Sequence, residues 1–281
     1  MTAADKTAPR IRLTPEEHAA ILKSRNELSE PPKKGMLNVM ITDVHSPFHN
    51  VELTNKALQY ISDVRPFRLI LGGDFLDMFS ISKYAEGSLA KLEGLTLKRE
   101  YEEGRELLAK FERAARYCAE KVFIFGNHEK RFDTWIERGD NKKLAGAIQS
   151  VREGLALDEN HWKVIEDYPD GFLEIAPQFH VLHGIYTNIY TSRNHLDKMH
   201  GYSMMFGHTH RIQVHANDKH CSYNVGGFFD KNATGFKYMP RPQRGQWANG
   251  FGTVYVNDNG NYYPDLITCY GNSFVIGGKM Y

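Results

Sequence analysis

Short apolar runs recur along this chain, and five of them stop at polar residues of a narrow kind. Leu37-Asn38-Val39-Met40-Ile41 leads into Asp43-Val44-His45, and Leu69-Ile70-Leu71 into Gly73-Asp74-Phe75-Leu76-Asp77. Val122-Phe123-Ile124-Phe125 leads into Gly126-Asn127-His128-Glu129. Phe179-His180-Val181-Leu182 ends at His183-Gly184, and Met204-Met205-Phe206 at Gly207-His208-Thr209-His210. Runs of this length read as buried strands. Helical spacing fills the first two gaps. Leu53, Ala57, Leu58, Ile61 and Val64 mark one helix face, and Leu97, Tyr101, Leu107, Leu108, Phe111, Ala114, Ala115 and Cys118 predict a long helix over about 96–120. The order β-α-β-α-β argues for a mainly parallel sheet with right-handed crossovers.

Residues 78–95 show little periodicity and read as a loop. Residues 129–177 are mostly helical and charged, then loop-like around Asp167-Tyr168-Pro169-Asp170-Gly171, and are a candidate cap or lid. After His210 the runs near 221–229, 251–257, 264–270 and 273–277 are rich in Val, Tyr, Phe and Gly and predict a second, largely antiparallel sheet. The expectation is an α/β fold: a four-layer α/β/β/α sandwich of two mixed sheets with flanking helices. The body spans 36–281. Residues 1–35 read as an N-terminal helical arm and linker. Thr14-Pro15-Glu16-Glu17 is a helix start, Leu28 a plausible end, and Pro31-Pro32-Lys33-Lys34-Gly35 the linker.

Composition narrows the class. Lys+Arg number 35 and Asp+Glu 34, so net charge alone makes no case for nucleic acid or a membrane surface. The three cysteines, Cys118, Cys221 and Cys269, are scattered, which argues against a disulfide framework or a thiolate zinc site and fits a reducing, cytoplasmic setting. No apolar leader opens the chain, and no run approaches the roughly 20 residues of a membrane span.

The five strand ends carry the chemistry. In α/β sheets ligands collect at the carboxyl ends of the strands, so these ends are most simply one site. Asp43 and His45 are two apart and can point the same way. Asp74 is a carboxylate able to bridge two cations, Asn127 offers a neutral oxygen, and His183, His208 and His210 offer imidazole. Mixed Asp, Asn and His ligands without cysteine argue against structural zinc and against calcium.

The ordered set Asp-x-His, Gly-Asp-x-x-Asp, Gly-Asn-His-Glu, His and Gly-His-x-His, spread over 43–210, resembles the calcineurin-like metallophosphoesterase superfamily. That resemblance implies two divalent ions, with Mn²⁺ first and Fe or Zn as alternatives. One would be held by Asp43, His45, Asp74 and His210, the other by Asp74, Asn127, His183 and His208. It further implies a metal-bridging hydroxide attacking phosphorus in line, His128 as general acid, and Asp77 orienting His128 and favouring its charged form. The resemblance covers the catalytic core and says little about residues 1–35, 129–177 or 230–250.

Departures inform the choice of substrate. Protein phosphatases of the superfamily carry Arg-Gly after the second Asp, where this chain has Met78-Phe79; purple acid phosphatases place a Tyr beside the bridging Asp, and none follows Asp74. The bacterial and phage-type group remains, including a repair-nuclease branch. The leading reading is a phosphodiesterase and candidate nuclease in a bacterial or phage-infected cell. The alternatives are a phosphomonoesterase or protein phosphatase, and an inactive binding module. Candidate partners are a phosphoester substrate, nucleic acid and a second copy of the chain. Candidate substrate contacts are His49, Arg131 and Arg211, with Lys130 also flanking the motifs. The loop 230–250 interleaves Lys231, Lys237, Arg241 and Arg244 with Phe236, Tyr238 and Trp247, a pattern that single-stranded nucleic acid binding uses and that ordinary surface loops also show. His18, His161, His195, His200, His215 and His220 read as structural, and strand parity turns His180 away from the site.

Overall fold

The computed structural model describes residues 35–83, 94–199 and 201–281. The helical arm expected before Gly35, with His18, lies outside them, as does His200. The body begins at strand β1 (Met36–Ile41) and continues as helix α1 (Val51–Val64), β2 (Arg68–Leu71), α2 (Leu97–Ala114), β3 (Glu120–Ile124), α3 (Asn127–Ile136), β4 (Lys163–Ile165), β5 (Phe172–Ala176), β6 (Phe179–Leu182), α4 (Thr191–Lys198), β7 (Ser203–Phe206), β8 (Ile212–Ala216), β9 (Cys221–Val225), β10 (Asn249–Val256) and β11 (Tyr262–Cys269). A last hairpin pairs Val275–Ile276 with Lys279–Met280.

Two mixed sheets form. The first has the order β11-β10-β1-β2-β3-β4 and the second β5-β6-β7-β9-β8. Neighbours β1 through β4 run parallel, and β6, β7 and β9 form the parallel centre of the second sheet. Strand parity divides the core. Val39 and Ile41 face the helices with Leu53, Ile61 and Phe111. Met40 faces the other way and meets Ile70, Val122, Val181 and Met205 between the sheets. Leu182, Met204 and Phe206 cover the outer face of the second sheet beneath Met199. These are the four expected layers. A one-residue slip of β1 would turn Val39 and Ile41 out of their cluster, and a fully buried aliphatic side chain contributes roughly 1.5–3 kcal/mol.

Two sequence expectations are corrected. Helix α2 ends at Ala114, about six residues early, because the chain turns at Cys118 and hands the Ala119 and Glu120 amides to the Phe67 carbonyl, starting β3 beside β2. Of the four predicted late runs, only the one that becomes β9 enters the second sheet, where it pairs parallel with β7 and antiparallel with β8. Strands β10 and β11 extend the first sheet, with β10 antiparallel to β1. Residue pattern signals a strand but not its partner. Here pairing with β10 covers an edge that β1 would otherwise leave open.

The segment 129–177 supplies most of α3, the edge strand β4 and the strand β5. Helix α1 starts where Asn50 accepts the Leu53 amide at 3.1 Å, and α2 where Thr96 accepts that of Arg99 at 3.2 Å.

Candidate metal centre

All seven predicted ligands gather where β1, β2, β3, β6 and β7 end. The backbone there is unusual. Of ten described non-glycine residues with positive φ, five are Asp43, His45, Asp74, His208 and His210. Such left-handed conformations cost on the order of 1–3 kcal/mol each and collect where geometry serves function. Two glycines of the motifs leave room for this turn geometry. A Cβ on Gly126 would land on Asp74 Oδ1, and one on Gly207 would land on Asp43 Oδ2.

Asp43, His45 and His210 form one group of ligand atoms, all within 4.8 Å of one another, and Asp74, His183 and His208 form another. In the first, His210 Nε2 lies 3.2 Å from Asp43 Oδ1 and 2.9 Å from His45 Nε2. His45 donates from Nδ1 to Asp77 Oδ2 at 3.0 Å, which leaves the Nε2 lone pair facing inward. Asp43 is held by the Thr42 hydroxyl at 2.7 Å and the His208 amide at 2.9 Å. In the second, His183 donates from Nδ1 to the Gly72 carbonyl at 3.0 Å, and its Nε2 faces Asn127 Oδ1 at 3.1 Å and Asp74 Oδ1 at 3.3 Å. His208 Nδ1 is buried without a hydrogen-bond partner among the described residues.

These contacts fit divalent cations. With Nδ1 donating to Gly72, a neutral His183 would set its Nε2 lone pair against two acceptor oxygens, so this atom calls for a positive charge, a proton or a metal ion. The electrostatics agree. Burial opposes charge on His45, but Asp43, Asp77 and Asp74 outweigh it and push its imidazolium up to about 10. Burial likewise opposes His183, and Asp74 above all lifts it to about 9. Asp43 and Asp74 are fully buried, a burden that raises a carboxyl, yet the facing histidines hold both well below the usual carboxylate range. The pocket thus stabilises positive charge, which neutral imidazoles with metal ions would supply.

His128 differs from the candidate ligand histidines, because Nδ1 and Nε2 both bond protein groups outside the ligand set. Nδ1 donates to the Asp77 main-chain carbonyl at 2.6 Å, and Nε2 accepts from Arg131 Nη2 at 3.0 Å. One expectation is refined here. Asp77 orients His128 through its carbonyl, while its carboxylate serves His45 and stays 3.7 Å from His128. The Asp77 charge also favours the charged form of His128, as expected, but it is outweighed. Burial and the Arg131 guanidinium push it down to about 3, more than Asp74 and Asp77 restore.

The site opens into a cleft of about 470 Å³ lined by Asp74, Asn127, His128, His208 and His210 on its floor and Ile189, Tyr238, Met239 and Trp247 on its walls. Arg211 sits on the rim and reaches Gln246 Oε1 at 3.0 Å and the Asn188 carbonyl at 3.4 Å. His49 is not among the lining residues; its Nδ1 is buried and unpartnered among the described residues. In the loop 230–250, Phe236 is buried at 5.2 Å from the His45 ring and Trp247 packs edge-on at 4.5 Å from His210. Arg244 is spent on the carbonyls of Lys231 and Met239. His180 faces away, stacked between Phe172 and Tyr202.

Sequence reading missed Glu129. Its buried carboxylate accepts the amides of Asp74 and Gly126 at 2.9 Å and of Leu76 at 3.0 Å, and so holds two motif loops together. A Glu in the third position of α3 was the available signal, since such residues reach back to the helix cap. Tyr168 was also missed. Its ring lies 5.8 Å from that of His183, and nothing in its local sequence marks it.

No family model matches the chain. It is 24% identical over 257 residues to the "Gene 54 protein" of Mycobacterium phage D29, covering 86% of this chain and 97% of that one. The same figures hold for the protein of that name from Mycobacterium phage L5. Similar solved structures include Vacuolar Protein Sorting 29 from Cryptosporidium parvum (TM-score 0.43, 12% identity, 88% of this chain and 95% of that one). Another is YfcE, a phosphoesterase from E. coli (TM-score 0.39, 14% identity, 82% of this chain and 98% of that one). A third is Vps29 complexed with Zn²⁺ from Entamoeba histolytica (TM-score 0.41, 13% identity, 88% and 96%).

Proposed function

We propose that this chain is a metal-dependent phosphodiesterase whose substrates include nucleic acid. The observation that carries the reading is the inward-facing donor set, above all His183 Nε2 set against Asn127 Oδ1 and Asp74 Oδ1 at 3.1 and 3.3 Å. Asp43, His45, Asp74 and His210 would hold one divalent ion, and Asp74, Asn127, His183 and His208 a second. Such ions supply Lewis acidity and a water activated near neutral pH.

The chain's own groups do the rest. Asp77 fixes the His45 ring, and Glu129 fixes the loops that carry Asp74 and Asn127. His128 lies on the cleft floor with Nε2 3.8 Å from Asp74 Oδ2. From there it hands a proton to the leaving oxygen once Nε2 is released from Arg131 and protonated. The walls favour a diester. Arg211 is the one permanent cation among the lining residues. Ile189, Tyr238, Met239 and Trp247 offer apolar surface to a second substituent such as a nucleoside. The phage relatives support a setting in the cytoplasm of an infected bacterium.

The test compares hydrolysis of bis-p-nitrophenyl phosphate and p-nitrophenyl phosphate with Mn²⁺ and with chelator. Diester preference that chelator abolishes supports the proposal. Monoester preference would make the chain a phosphatase, and inactivity on both with metals bound would leave a binding module.

A further inference from the structure

The residue after Asp77 is Met78, where a guanidinium would stand in the protein phosphatases. Met78 is fully buried and its side chain belongs to the apolar cluster beneath α1 and α2. Its φ of 54° turns it there, and the following loop is pinned by Glu100, which accepts the Phe79 and Ser80 amides at 2.7 and 3.0 Å. No cation reaches the site from that position.

Arg131 reaches His128 from an element other than the Met78 loop. It lies on α3 three residues after His128 and four after Asn127, so all three share one helix face. Its Nη1 donates to the carbonyl of Asp77 at 2.8 Å and to that of Met78 at 3.3 Å. Its Nη2 reaches His128 Nε2 at 3.0 Å, the atom that itself lies 3.8 Å from Asp74 Oδ2. Guanidinium carries five N–H donors, so these three bonds leave donors to spare. Arg131 is not itself among the residues lining the cleft, but its side chain is 18% exposed and bonds His128, which is. The Asp77 and Met78 carbonyls orient the fork, and the nearby carboxylates of Asp43, Asp74 and Asp77 make a substrate anion unwelcome without a counter-charge.

We propose that Arg131 binds the phosphoryl oxygens of the substrate, supplying from α3 the cation that position 78 lacks, with the Asp77 and Met78 carbonyls aiming it. It rests on the phosphoester reading. A non-bridging phosphoryl oxygen takes an Arg131 N–H, and the bond to His128 Nε2 is exchanged for it. A lysine would not serve equally, because it offers one point charge in place of a planar fork.

Inorganic phosphate binding to the Mn²⁺-loaded full chain, read by calorimetry, tests this without turnover. Arg131→Gln should weaken phosphate about ten- to a hundredfold while metal content is unchanged. Arg131→Lys should recover only part of that loss. In steady state, Arg131→Gln should slow methyl p-nitrophenyl phosphate and methyl phenyl phosphate by the same factor, because the lost contact is to the phosphoryl group and not to the leaving group. Unchanged phosphate affinity in Arg131→Gln would overturn the proposal. So would loss of bound metal, or a slowing confined to the poorer leaving group. If the wild type binds phosphate through Arg131 yet hydrolyses no ester, the enzymatic reading fails and the assignment of Arg131 stands.

Discussion

His45 donates its Nδ1 proton to Asp77 Oδ2 at 3.0 Å, although 32 residues separate them in the chain. The bond fixes which His45 nitrogen keeps a lone pair and therefore which one faces Asp43 and His210. Partners of this kind typically tune metal affinity 10–100-fold. Asp77→Asn keeps an acceptor oxygen but loses the charge, so Mn²⁺ affinity should fall about tenfold or more. Competition with a metallochromic chelator measures this, and unchanged affinity would mean that His45 is not a ligand.

The roles of His128 and Asp74 separate by metal content. His128→Ala should lower turnover roughly 10²–10⁴-fold with metals retained, since both of its nitrogens bond protein groups. Asp74→Asn and His210→Ala should instead deplete metal. Elemental analysis beside kinetics reads both, and metal loss in His128→Ala would make that residue a ligand.

Gly207 tests the backbone geometry. A methyl there would overlap Asp43 Oδ2 and crowd Thr42. Gly207→Ala should displace Asp43, reduce metal occupancy and lower the melting temperature. A variant with native metal content would show that the loop carrying His208 can shift without cost.

His195 predicts an acid limit to stability. It is fully buried, its Nδ1 donates to the Thr191 carbonyl at 2.8 Å, and its Nε2 accepts the Ile185 amide at 3.0 Å. Burial holds it down to about 4, below the 6.5 of an exposed imidazole. The unfolded chain therefore binds the proton first. This contribution is complete above pH 6.5 and is lost as pH falls toward 4, by about 3 kcal/mol in all. Urea unfolding at pH 7.5 and pH 5 should show a steeper loss in the wild type than in His195→Gln, and equal slopes would rule His195 out as the cause.

Phe236 supports the site from the loop side, packed on His45 at 5.2 Å and on Trp247 at 5.3 Å. Phe236→Ala should cost about 3–5 kcal/mol, measured by chemical denaturation.

Much of this was legible without coordinates. Apolar runs ending in Asp, Asn and His marked both the strands and the candidate ligands, because strand parity and side-chain chemistry are local properties that a linear pattern records. That pattern located Asp43, His45, Asp74, Asn127, His183, His208 and His210, which the fold brings to one end of its strands. Partner choice was not local. Nothing in 249–269 announces that β10 pairs with β1 rather than with β9; that depends on which edge the rest of the sheet leaves open. Nor does the spelling of Asp77 reveal that its carboxylate serves His45 while its carbonyl serves His128, or that Arg131 reaches that same carbonyl. Hydrogen-bond direction depends on distances of a few tenths of an ångström between residues far apart in the chain, and only the packed structure sets those.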